Sequence, residues 1–92
     1  MKNICIKAIV SGRVQGVFYR ESTRKKAVTL NVTGWVKNNP DGSVELHACG
    51  DEEKIKIFID WLWQGPLLAQ VSNVAWNASP DETHDAFRKI SD

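Results

Sequence analysis

Between Ile4 and Val10 the chain reads ICIKAIV, with Ile4, Ile6, Ala8 and Val10 on one side of the alternation and Cys5, Lys7 and Ile9 on the other. A period of two in a segment this rich in β-branched residues predicts a strand with one buried face. The segment ESTRKKAVTLN, residues 21–31, abandons alternation for helix formers, with Ala27 and Leu30 as its inward positions, and predicts a first helix. VTGWVKN and SVELHAC, residues 32–38 and 43–49, alternate again, and Pro40, Asp41 and Gly42 supply turn chemistry between them. That is a hairpin. Asp51 then offers an N-cap, Glu52 and Glu53 fill a first turn, and Ile55, Phe58, Ile59 and Leu62 form an inward stripe until Gly65 and Pro66 end a second helix. In QVSNVAW, residues 70–76, Val71 and Val74 break strict alternation, which predicts a strand with a bulge or bend. DAFRKI, residues 85–90, reads as a short last strand. The order β-α-β-β-α-β is that of a ferredoxin-like α+β two-layer sandwich, an antiparallel sheet with both helices on one face and room for a short fifth strand.

Composition narrows the picture. Ninety-two residues suffice for one domain, taken as residues 1–92, and for one two-layer core. Twelve basic against 11 acidic side chains leave a net charge of +1, without the excess that gripping a run of nucleic-acid phosphates requires. The local run Arg24, Lys25, Lys26 then reads as a solvated helix face. No secretory signal is visible after Lys2, and no apolar run approaches bilayer length, so a soluble, cytoplasmic protein is expected; it is taken as a monomer.

Candidate chemistry concentrates in GRVQGVFYR, Gly12 to Arg20, between the first strand and the first helix. A nucleotide P-loop requires G-x-x-x-x-G-K-[ST], but here Gly16 follows Gly12 after three residues and is followed by Val17 and Phe18. The dinucleotide fingerprint is absent as well. What the segment can build is a simpler anion cradle. Successive amides from Gln15 to Tyr19 converge, glycine leaves room, a helix N-terminus adds partial positive charge, and Arg20 adds a planar fork suited to two phosphoryl oxygens. An ordinary glycine turn with a solvent-facing arginine fits the same residues.

A second segment, GWVKNNPDGSVELHACG, separates the two readings. With GRVQGVFYR it resembles the pair of motifs of the acylphosphatase family, matching at Gly34, Trp35, Lys37, Asn38, Gly42, Val44 and Gly50. The resemblance covers essentially the whole chain. It implies hydrolysis of a carboxyl–phosphate bond without metal or cofactor, on a small-molecule acyl phosphate, with inorganic phosphate as product and competing ligand. By position in the motifs, Arg20 is implied as the phosphate-binding arginine, the amides of Gln15, Gly16, Val17, Phe18 and Tyr19 as the cradle, and Asn38 as the residue that orients the attacking water. Two departures stand out. Tyr19 occupies a position where Phe or Met is common, adding a hydroxyl to accommodate, and the end AFRKISD differs in spacing from the family's apolar last strand. Some relatives end in a carboxylate that pairs with the arginine; the last residue here is Asp92.

The implied chemistry needs few groups. An acyl phosphate expels a stable carboxylate that needs little protonation, so positioning and charge suffice, and fixed amides with one arginine meet the charge spread over the equatorial oxygens. The two histidines, His47 and His84, are accordingly read as exposed and idle. In a ferredoxin-like sheet the first and third strands are antiparallel neighbours, and parity sends Cys5 and Cys49 to the same outward face. A bridge there would be worth about 4 kcal/mol in the chain-entropy picture, but a reducing compartment favours two free thiols. The spacing of Cys5, His47 and Cys49 matches no standard zinc pattern, and no metal site is expected. Two rival functions are a ferredoxin-like RNA-binding module using Trp35, Trp61, Trp63 and Trp76, and a silent anion sensor that keeps the loop without turnover.

Overall fold

A computed structural model describes residues 2–90, so Asp92 lies outside the described residues. The elements are β1 (Asn3–Arg13), α1 (Tyr19–Thr29), β2 (Thr33–Asn38), β3 (Val44–Asp51), α2 (Glu52–Gln64), β4 (Gln70–Ser79) and β5 (Phe87–Lys89). They form a sheet of order β4-β1-β3-β2-β5 under the two helices, the ferredoxin-like sandwich expected. Ile6, Ala8 and Val10 of β1, Val36 of β2 and Leu46 of β3 meet Ala27 of α1 and Ile55, Phe58 and Leu62 of α2 in the core. None of the helices is long and apolar enough to cross a membrane, among the described residues.

The sheet is mixed, not antiparallel throughout. The first four strands pair antiparallel, but β5 joins β2 in parallel, Gly34 opposite Phe87. The cause is topological. β4 lies at one edge and finishes at Ser79, level with Cys5, Cys49 and Thr33, and the chain must cross to the far edge. It crosses at that level and reaches β2 at its beginning, so β5 runs alongside it in the same direction.

The bulge expected in β4 falls at Ser72, where the register passes from Ser11 opposite Asn73 to Gly12 opposite Val71. Gly12 has a φ of 120°, and a Cβ there would overlap the Gln70 carbonyl oxygen, so the tight approach of the strands requires glycine. β4 also runs three residues beyond Trp76, to Ser79.

α1 begins at Tyr19, two residues before the sequence pattern suggests. Its buried stripe is Tyr19, Thr23 and Ala27, one residue every turn, and Leu30 is only partly covered. Thr23 can be buried because its hydroxyl donates to the Tyr19 carbonyl at 2.7 Å. The extra hydroxyl of Tyr19 is also satisfied, donating at 2.7 Å to the carbonyl of Leu62 in α2, and burial pushes its pKa well up. This bond ties the helix that follows the glycine loop to the other helix.

The face away from the helices departs most from expectation. Cys5 and Cys49 do point there, opposite one another in the register, but they are joined as a disulfide and are not free thiols. His47 is not exposed: only 2% of its surface is accessible. Residues 80–86, the crossing between β4 and β5, lie over this part of the sheet and bring Glu82 and His84 against it. His47 Nε2 lies 2.8 Å from Ser79 Oγ and its Nδ1 lies 3.2 Å from His84 Nε2. Alternation gave the direction of these side chains, but not the strap that covers them.

Two outcomes follow. Tyr19→Phe leaves the Leu62 carbonyl without its buried donor and should lower stability by about 1 kcal/mol, read as a lower urea midpoint at unchanged slope. For His47, burial holds the pKa below its ordinary value against the opposing attraction of Glu82, while His84 and Lys7 lower it further. The unfolded chain therefore takes up this proton first. The associated stability is fully present above pH ~6.5 and is lost as the pH falls through that value and on through the folded pKa. The urea midpoint should be lower at pH 5.5 than at pH 7.5, and by less in His47→Gln.

Candidate active site

Because β1 and β3 are antiparallel neighbours, the loop that leaves β1 and the turn that enters β3 meet at one end of the sheet. The loop is fixed by alternating anchors: the side chains of Val14, Val17 and Tyr19 are buried, and Gly16 and Phe18 face out. Such a path needs left-handed backbone at two points, Gly16 with a φ of 73° and Phe18 with 64°. Glycine adopts that conformation without cost; for phenylalanine it is strained, and strain of this kind is held by the surrounding packing. Phe18 is the N-cap of α1 and is 75% exposed, with no side-chain cap bond. The first amides of α1 therefore open onto the loop.

Gln15 has a part that sequence reasoning missed. Its side-chain Nε2 donates to the carbonyls of Asn39 and Ser43, at 2.8 and 2.9 Å, and clamps the loop to the hairpin turn. That turn is tight. Asn39 N donates to the Ser43 carbonyl at 2.9 Å, and Asp41 Oδ1 accepts from Ser43 N and Ser43 Oγ at 2.9 and 2.6 Å. The Ser43 hydroxyl and amide together hold the Asp41 carboxyl below its usual pKa. Asn38, the last residue of β2, is thereby carried to the loop.

Arg20 and Asn38 line one cleft, of about 240 Å³, together with Gly16, Phe18, Glu21 and Lys89. Of the five residues proposed to form the cradle, Gly16, Phe18 and Tyr19 line this cleft, whereas the Gln15 side chain is spent on the turn and Val17 is packed into the core. The far strand supplies two further groups. Arg20 Nη1 donates to the Ile90 carbonyl at 2.7 Å, and Ile90 N in turn donates to the Val36 carbonyl at 2.8 Å, so the backbone just after β5 holds the guanidinium. Lys89 reaches Glu21 at 3.4 Å. Glu21 is held down to about 2, first by hydrogen bonding from Arg24 at 2.7 and 3.0 Å and then by the charges of Arg24 and Lys89. It stays ionised but is neutralised by two cations, so its charge does not cancel that of Arg20 at the cleft mouth. Nothing local in the sequence marks Lys89 or Ile90, because only the parallel pairing of β5 brings them here.

Fold and cleft together define a class: a small α+β sandwich in which a strained strand-to-helix loop, an arginine and a carboxamide share one polar cleft. The comparisons with known proteins give the family. Acylphosphatase matches residues 6–89. An acylphosphatase of Coxiella burnetii is 57% identical over 84 residues, 91% of this chain and 88% of that protein. The structure of an acylphosphatase from Coxiella burnetii superposes with a TM-score of 0.93 at 53% identity, covering 96% of this chain and 93% of that chain. The crystal structure of acylphosphatase from Bacillus subtilis also gives 0.93, at 32% identity, over 96% and 99%. The chain belongs to the acylphosphatase family. The RNA-binding and anion-sensing alternatives are not favoured, and the tryptophans lie scattered on β2, α2 and β4.

If the Gln15 clamp sets the distance between loop and Asn38, Gln15→Ala should cut kcat for an acyl phosphate by about 10- to 100-fold, the scale of a misplaced reacting group. Circular dichroism should be unchanged. Wild-type turnover in this variant would reduce Gln15 to a surface bond.

Proposed function

We propose that the chain hydrolyses acyl phosphates to a carboxylate and inorganic phosphate in the cleft shared by Arg20 and Asn38. The observation that carries the reading is this shared cleft in a chain of the acylphosphatase family. The phosphoryl oxygens sit against the amides of residues 15–19 at the N-terminus of α1, and the Arg20 guanidinium takes two of them. The Asn38 carboxamide holds a water in line with the scissile bond. As the P–O bond to the acyl oxygen loosens, charge grows on the equatorial oxygens, where fixed dipoles and the guanidinium meet it without reorganising. Water adds to phosphorus, its proton passes to solvent or product, and the bonding pair leaves with the carboxylate. A carboxylate leaving group removes the need for a general acid, which accounts for a mechanism without histidine.

The same reading takes the enzyme as a monomer acting on a free small molecule in the cytoplasm, with no nucleic-acid partner. A net charge of +1 and the local neutralisation of Glu21 support a site scaled to one small anion. The disulfide has Cys5 and Cys49 only 5% and 7% exposed, which limits the access that thiol exchange requires.

Steady-state hydrolysis of a generic acyl phosphate in the presence of chelator is the test. Turnover should persist with chelator, inorganic phosphate should compete, and an alkyl phosphate, whose alkoxide needs a proton, should be a poor substrate. Arg20→Lys and Asn38→Ala should each lower kcat/KM by roughly 100-fold or more, the first through loss of the two-point grip and the second with KM little changed. Phosphate binding without turnover in the wild-type protein would instead make the domain a sensor.

A further inference from the structure

The cleft lies at one end of β1 and β3; at the other end, over the disulfide, His47, Glu82 and His84 form a cluster to which the hydrolytic reading gives no task. Their ligand atoms all lie within 4.8 Å of one another. His47 projects from β3 and is 3% exposed at its side chain, whereas Glu82 and His84 are brought by the crossing strap and are 54% and 20% exposed. The cluster is thus built on a rigid strand at its base and is open to solvent on its carboxylate side.

We propose that His47, Glu82 and His84 bind a zinc-class divalent cation through His47 Nδ1, His84 Nε2 and the Glu82 carboxylate. The distances suit that ion. A tetrahedral ion about 2.0–2.1 Å from each of two imidazole nitrogens holds them about 3.3 Å apart, and His47 Nδ1 and His84 Nε2 are 3.2 Å apart. Glu82 Oε1 is 3.6 Å from His84 Nε2, close to the next edge of the same tetrahedron, while its Oε2 lies 3.5 Å from His47 Nε2, so a turn of this exposed side chain is needed to bring the carboxylate toward Nδ1. The outer contacts fit as well. With Nδ1 facing the ion, His47 Nε2–H donates to Ser79 Oγ at 2.8 Å, the bond that fixes tautomer and ring plane in metal-bound histidines. The ring is held further by stacking with Trp35, with centroids 6.3 Å apart.

Donor chemistry selects the ion. Two imidazoles and one carboxylate suit zinc and its first-row neighbours, whereas calcium and magnesium ask for six or more oxygens. The sulfurs of Cys5 and Cys49 also lie within 4.8 Å of His47, but as a disulfide they are not thiolate ligands, which leaves the fourth position to water. The bound ion pins residues 82 and 84 of the strap to β3. It takes no part in hydrolysis, since Arg20 and Asn38 lie at the opposite end of the strands.

The experiment is a titration of the intact, oxidised protein with zinc against a chromophoric chelator, while the histidine ring resonances are followed by NMR. One ion per chain, with both His47 and His84 resonances shifting and acyl phosphate turnover unchanged, is the result expected. His84→Ala and Glu82→Gln, both on the exposed side of the strap, should each weaken binding by at least about tenfold while keeping wild-type turnover as proof of folding. No zinc uptake by the wild-type chain at micromolar concentrations, or an unchanged affinity in either variant, overturns the assignment.

Discussion

The antiparallel pairing of β1 with β3, Val10 opposite Val44 at one end and Cys5 opposite Cys49 at the other, is the constraint on which the rest depends. It forces the loop leaving β1 and the turn entering β3 into contact, and so decides where the polar cleft forms. It also sets two cysteines and His47 on the outer face of the interior strands, away from the cleft end. Side chains of Ile6, Ala8 and Val10 against Leu46 and Val44 hold the register on the helix side. A slip by one residue would turn every one of them outward.

Given that register, the cleft is assembled from three directions, each with its own bond. Gln15 clamps the loop to the turn, the carbonyl of Ile90 orients Arg20, and Tyr19 ties the start of α1 to the carbonyl of Leu62. These contacts are long-range in sequence, spanning 24, 70 and 43 positions. In the reaction proposed above, which works by fixed dipoles rather than by proton transfer, such ties matter because a dipole that must swing into place loses its advantage. The strained backbone at Phe18 belongs to the same economy of structure: burial of Val17 and Tyr19 on either side leaves that residue little choice.

Much of this was legible in the chain. Alternation and helical periodicity found every element, and the irregular spacing of Val71 and Val74 announced the bulge at Ser72. The two glycine-bearing motifs named Arg20 and Asn38, which line one cleft. Parity put Cys5 and Cys49 on one face, yet an argument from compartment chose free thiols where the structure has a bond. What stayed hidden depends on partners distant in sequence. A threonine in a charged helix gives no sign of burial until its hydroxyl finds the carbonyl one turn back, as Thr23 does. His47 looked idle because nothing within its own strand reveals a strap arriving from residues 80–86. Lys89 came to line the cleft, and the Ile90 carbonyl to hold Arg20, only through a parallel pairing that alternation cannot express.

The three residues of β5 have one more consequence. Without them β2 would present Trp35 and Val36 on an unpaired margin of the sheet, the kind of template on which a second chain adds by backbone hydrogen bonding. Docked there, β5 turns β2 into an interior strand and substitutes a margin only three residues long that carries Arg88 and Lys89. A margin this short offers few backbone groups to a second copy, so the segment that leads to the Ile90 carbonyl beside Arg20 also discourages strand-by-strand polymerisation.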